Sequence, residues 1–217
     1  RFAWYRKFFV KKSSGKFPEW IRKTDEERIQ NMPHILNKEF YGNRKYEVTE
    51  KLDGQSATYF LKKKGLGYEF GVCSRNLRLP YPNNGSWWTV AKVYDIEKVL
   101  KEIIGDSDYV VLQGEILGTG IQGNKYKVSS YQFYAFNLIY PNGNVCWTDM
   151  LQVLSRYYIS VVPRIPEIEY LPDTVEEVVE LSKGKSTLNN SAYREGLVFR
   201  DYKNNVSFKA INPDFLL

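Results

Sequence analysis

Tyr46-Glu47-Val48-Thr49-Glu50-Lys51-Leu52-Asp53-Gly54-Gln55-Ser56-Ala57-Thr58-Tyr59-Phe60 carries two alternating runs on either side of Asp53-Gly54. β-Branched and aromatic residues on alternate positions favour strands, and in a strand residues i and i+2 share a face. Lys51 and Asp53 are therefore expected to enter one pocket while Leu52 points away. Gly54 then lets the backbone turn. On these residues alone two readings stand side by side. Asp53-Gly54 is the turn of a hairpin, or Lys51 is an amine nucleophile held beside an acid where a phosphate can sit.

Outward from this stretch, the alternation runs on to Cys73 with a second break around Lys64-Gly65-Leu66-Gly67, which predicts consecutive antiparallel strands. Tyr109 to Leu117, Tyr131 to Tyr140, Gly196 to Arg200 and Asn205 to Ile211 are further β-rich runs. Val93, Ile96, Val99, Leu100 and Ile103 recur at helical spacing and predict one core-facing helix over 90–104. Val175, Val178, Val179 and Leu181 predict another over 174–183, stopped by Gly184. Thr24, with Glu27 three residues on, predicts a capped helix from Asp25 to about Asn31. The turn residues of 80–85 mark a loop. Residues 1–16, basic and aromatic, read as an arm or linker, and 17–217 as the main domain. The expected class is α+β, antiparallel β-sheets flanked by helices.

At 217 residues the chain has enough material for a real core, and a net charge of +6 suits a polyanionic partner without requiring one. Two cysteines and the single His34 exclude a disulfide framework and a zinc site of the usual spacing. No apolar run reaches membrane-crossing length and no signal segment opens the chain. The expectation is an intracellular, monomeric protein of cytoplasm or nucleus with no membrane partner. A start at Arg1 rather than Met reads as a domain taken from a longer protein.

Four other segments bear polar groups at strand ends: Cys73-Ser74-Arg75-Asn76, Gly114-Glu115, Glu195-Gly196-Leu197-Val198-Phe199-Arg200 and Ser207-Phe208-Lys209. Singly, each is ordinary. In this order, and after Lys51 to Gly54, they make the chain resemble the covalent nucleotidyltransferases, the superfamily of ATP-dependent polynucleotide ligases and mRNA capping enzymes, from Phe17 to the C-terminus. The aromatic strand motif of that superfamily matches Tyr134-Ala135-Phe136-Asn137-Leu138-Ile139-Tyr140. The resemblance implies the nucleotidyltransferase (ATP-grasp-like ligase adenylation) fold and catalytic residues Lys51, Asp53, Glu115, Glu195 and Lys209. It also implies that ATP is the nucleotide and that AMP becomes attached to Lys51. Glu50, Leu52, Arg75, Phe136, Val198 and Lys209 would then bind the nucleotide, and Asp53, Glu115 and Glu195 would hold Mg²⁺ or Mn²⁺ through its waters. Phe136 and Val198 would sandwich adenine, although periodicity alone equally fits plain strand core.

Gly114-Glu115-Ile116-Leu117-Gly118, Gly120 to Tyr126 and Lys23 to Asn31 are similar to the RNA ligases that seal nicks with 3′-OH and 5′-phosphate ends, above all the branch with an N-terminal OB module. The implied partner is nicked or broken RNA, an RNA/DNA hybrid included. Too little chain precedes Phe17 for an OB barrel, so self-adenylylation is expected to exceed sealing. Ser56 stands where DNA ligases and capping enzymes usually carry arginine, Ser207 where many relatives carry a lysine, and Asn137 where many carry aspartate. The rival readings are a capping-type guanylyltransferase and a non-catalytic RNA-binding module on the same fold. Lys125 is either an RNA-phosphate contact or a solvated lysine, Trp87 and Trp88 either base-stacking or buried, and His34 structural. An attacking amine must be neutral, and a free lysine with pKa of about 10.4 is neutral in roughly one molecule in 2,500 at pH 7. Nearby cations, Lys209 and a metal ion, are expected to help remove the proton.

Overall fold

The computed structural model describes residues 14–42, 44–81 and 84–217. Most of the expected N-terminal arm, 1–13, and part of the 80–85 loop lie outside the described residues. The strands are β1 (Gly15–Lys16), β2 (Glu47–Lys51), β3 (Gln55–Lys64), β4 (Gly67–Cys73), β5 (Leu77–Arg78), β6 (Tyr109–Leu117), β7 (Gln132–Tyr140), β8 (Gly143–Asn144), β9 (Ser160–Val161), β10 (Gly196–Asp201) and β11 (Val206–Ile211). The helices are α1 (Lys38–Tyr41), α2 (Ser86–Val93), α3 (Ile96–Ile103), α4 (Trp147–Ser155) and α5 (Val175–Leu181). The class is α+β.

Two sheets divide the strands. The larger has the order β1-β5-β4-β3-β6-β7-β8, with β9 parallel to β7, and the smaller is β11-β10-β2. Period-2 alternation sorts the larger sheet into two faces. Ala57, Tyr59 and Leu61 of β3 pack with Leu112 of β6, Val90 of α2 and Leu100 of α3 in the main core. Phe60, between them, joins Phe17, Ile21, Cys73 and Val111 in a separate cluster on the other face. Behind the smaller sheet, Val48, Leu197, Phe199 and Phe208 pack against Ile29 and Val178.

The hairpin reading of Asp53-Gly54 fails. β2 pairs with β10, whereas β3 pairs with β4 and β6, so 52–54 crosses from one sheet to the other. A Cβ on Gly54 would strike the Ile116 carbonyl and come within 2.8 Å of Leu117 and 2.9 Å of Glu115. Glycine is needed here for close approach rather than for a turn.

Two helix expectations are corrected. The 90–104 helix is broken at Tyr94 and Asp95, where Asp95 takes φ 47°, and Val93 is 70% exposed instead of inward. Thr24 caps nothing, since its hydroxyl lies 2.6 Å from that of Ser56, and only Ile29–Asn31 forms a short 3-10 turn. Helix α5 keeps its expected place: Thr174 and Glu177 form a capping box, and Gly184 follows with φ 129°. Trp87 and Trp88 pack against the main core, Trp87 Nε1 donating to the Ser56 carbonyl at 3.0 Å. His34 is exposed beside Tyr41. Among the described residues no helix is long and apolar enough to cross a membrane.

Candidate active site

Where the two sheets face each other they leave a cleft of about 320 Å³. Each residue picked out in the sequence lines it: Lys51, Asp53, Glu115, Glu195 and Lys209, with Glu50, Leu52, Arg75, Phe136 and Val198. The smaller sheet presents its face by register. Lys51 of β2 lies opposite Gly196 of β10, and Thr49, Val198 and Lys209 form the next row across the three strands. Gly196 puts no side chain beside Lys51, and a Cβ there would meet the Ala210 carbonyl. The opposite wall comes from the larger sheet, with Glu115 on β6 and Phe136 on β7 where the β6–β7 register shifts. Phe136 and Val198 thus stand on facing walls.

Lys51 Nζ lies 2.6 Å from a carboxylate oxygen of Glu195, both side chains being largely shielded from water. Glu195, not Asp53, is the acid that holds the lysine. Asp53 instead pairs with Lys125 at 3.2 Å, and its backbone N–H donates to Tyr126 Oη at 2.7 Å. Lys125 is exposed, and besides this ion pair its ammonium sits 3.5 Å over the Phe215 ring. Gly54 N–H donates to Glu115 at 3.1 Å and so ties the crossover to the far wall. Burial pushes the Glu115 carboxyl up to about 8, with Lys51 opposing and the charges of Glu195 and Asp53 adding to the rise. The Lys209 ammonium is shifted down by desolvation first and by the Lys51 charge second.

Glu50 is fully buried. One of its oxygens accepts from Thr187 N–H at 2.8 Å while the other has no hydrogen-bond partner among the described residues. Leu52 sits in the main core and borders the cleft. Arg75 grips Asp25 with Nε and Nη2. Asn137 donates to Gln113 at 2.9 Å and accepts from Asn144 at 2.8 Å, a supporting polar chain away from the cleft lining.

Sequence reading missed Arg200 and the acidic stretch beside it. Arg200 is 6% exposed, donates to Thr49 Oγ1 at 3.2 Å and to Glu26 at 3.3 Å, and lies 5.9 Å from the Phe136 ring. Glu26 also accepts from Ser207 Oγ at 2.6 Å, so the serine that stands in for a lysine serves this buried ion pair. The signal was present as an arginine on the Lys51 face of β10, two residues past Val198. No group of three His, Cys, Asp or Glu side chains among the described residues is close enough to ligate a metal directly. The carboxylates of Asp53, Glu115 and Glu195 share a cleft in which their charges oppose one another. This arrangement fits a hydrated divalent cation better than one stripped of its waters.

A family model described as RNA ligase matches residues 44–211, from the segment before β2 through the end of β11. The chain belongs to the RNA ligase family. Solved structures agree. A Naegleria gruberi RNA ligase variant with AMP and Mn superposes on this RNA ligase family chain with a TM-score of 0.81 at 31% identity, covering 93% of this chain and 59% of that one. A variant of the same ligase with ATP and Mn matches at TM-score 0.80 and 31% identity, with the same coverage. The ligase with PPi matches at TM-score 0.80 and 32% identity, again covering 93% and 59%. This RNA ligase family chain therefore spans 59% of the length of the Naegleria ligase. No curated protein matches.

Proposed function

We propose that this chain is the adenylyltransferase portion of an ATP-dependent RNA ligase that joins 3′-OH to 5′-phosphate ends, sealing nicks in RNA through a lysyl-AMP intermediate on Lys51. The observation that carries the reading is the placement of Lys51 Nζ inside the cleft, 2.6 Å from Glu195. The Naegleria ligase structures with AMP, ATP and Mn extend it to adenine nucleotides and a divalent metal.

Lys51 attacks the α-phosphorus of ATP as a neutral amine. The new P–N bond forms as the bond to pyrophosphate breaks, and the amine loses its proton. Glu195 keeps Nζ in the cleft before attack, and Gly196 leaves space beside it for the phosphate. Lys209, in the row next to Lys51 on the same sheet, supplies positive charge to the pentavalent phosphate. Phe136 and Val198 close on the base from facing walls. AMP then passes from Lys51 to the RNA 5′-phosphate, and the 3′-hydroxyl displaces it, forming the phosphodiester. Asp53, Glu115 and Glu195 would hold Mg²⁺ or Mn²⁺ through its waters; when bound, the ion neutralises charge on the phosphate oxygens.

Incubation with Mg²⁺ or Mn²⁺ and α-labelled ATP or GTP tests the reading. Label from ATP that survives denaturation and disappears in Lys51→Ala is expected. Label from GTP alone, or label that persists in Lys51→Ala, would reject it.

A further inference from the structure

The face of the larger sheet that turns away from α2 and α3 carries a groove outside the nucleotide cleft. Phe60, Lys62 and Lys64 alternate along that face of β3. Trp20, 37% exposed, lies against them, its ring 5.4 Å from Phe60, with Lys62 Nζ 4.7 Å over it. Arg78 of β5 reaches over the Phe60 ring at 5.2 Å, and Lys16 of β1 borders the same groove. Glu69 is the one acid in the lining, and it is taken by Arg78 at 2.7 Å and by Lys64 at 3.5 Å. Among the described residues, Lys16 and Lys62 have no carboxylate partner.

Isolated surface lysines are ordinary, and most are simply solvated. Here the aromatic floor changes the argument. The Lys62 and Arg78 heads lie over rings, which restricts their stems and fixes where their charge points. Cations held in place with too few acids to neutralise them suit a regularly spaced polyanion. The groove also leads toward the active site. The turn between β4 and β5 carries Arg75 at the cleft and, three residues on, Arg78 in the groove, and Lys23 donates to Asn76 Oδ1 in that turn at 3.0 Å.

We propose that this groove, continued by the 74–78 turn, is a track for the phosphate backbone of the RNA that flanks the break. The identity of the polyanion rests on the ligase reading above; the track is separate from the nucleotide site. Recognition is by charge, with no base contact, so the groove contributes affinity and salt dependence and leaves nucleotide chemistry alone.

The double variant Lys16→Gln/Lys62→Gln tests this, because glutamine removes both charges and at position 62 keeps much of the stem over the Trp20 ring. Binding of the whole chain to a nicked RNA duplex is measured across a salt series, alongside label uptake from α-labelled ATP. Two lost phosphate contacts lower the slope of log affinity against log salt by about 1.5–2. Affinity at low salt is expected to fall roughly tenfold or more, with lysyl-AMP formation unchanged. An unchanged slope and affinity would overturn the track while leaving the ligase reading intact. Failure of the unsubstituted protein to take label from ATP would instead count against the ligase reading, and the track would still be judged by the slope.

Discussion

Glu115→Gln should make the protein more stable as it makes it less active. In the protein by itself the carboxyl is pushed from an ordinary 4.5 to about 8, chiefly by burial. Each unit is worth about 1.4 kcal/mol, so ionising Glu115 in the folded state costs on the order of 5 kcal/mol, an upper figure because the side chain keeps some contact with water. The native carboxyl holds its proton more tightly than the unfolded one. The folded state therefore binds more protons between pH 4.5 and about 8, and stability falls as pH rises through that window. Glutamine removes the titration and still offers an oxygen to Gly54 N–H. Urea unfolding at pH 5.5 and 8.5 should show the variant gaining on the unsubstituted protein by up to about 3 kcal/mol between the two values. Lysyl-AMP formation should drop by about tenfold or more, through loss of a carboxylate that would face the metal. Parallel pH–stability curves for the two proteins would refute the argument that burial strains this acid.

Two further substitutions probe the crossover that follows Lys51. Gly54→Ala places a methyl against the Ile116 carbonyl and within 2.9 Å of Glu115, so a loss of about 1–3 kcal/mol in stability and a larger loss of lysyl-AMP formation are expected; thermal unfolding and α-labelled ATP read both. Tyr126→Phe leaves the Asp53 N–H without its 2.7 Å acceptor at a largely buried position, and should cost about 1–3 kcal/mol, measured by urea unfolding, and slow self-adenylylation as 52–54 loosens.

The strands were the legible part of this fold. Alternation in Gln55–Lys64, Tyr109–Leu117 and Gln132–Tyr140 is local, and it gave their ends to within a residue or so. Sheet membership was not local. Nothing between Tyr46 and Phe60 says that β2 will pair with β10, about 150 residues later, so Asp53-Gly54 looked as much like a hairpin as a crossover. The break at Asp95 escaped because the helical period runs through it, and only the left-handed backbone there turns Val93 outward. Thr24 and Glu27 form a capping pattern, yet the threonine is used by Ser56 and the acids beside it are claimed by Arg75 and Arg200, contacts that local spacing does not encode. The cleft residues were found through the order of six short motifs along the chain. Arg200 escaped because its partners, Glu26 and Ser207, lie far away in sequence.

The seam between the sheets has a mechanical corollary. Lys51 ends a strand of one sheet and Glu115 belongs to the other, so tilting the two walls by a few degrees would alter the gap between the lysine and the far-side carboxylate while the strand pairing within each sheet is kept. The Gly54 amide, fastened to Glu115 where the chain passes between walls, is one of several ties at this seam, with the Asp53 N–H on Tyr126 Oη and the Lys125–Asp53 ion pair beside it.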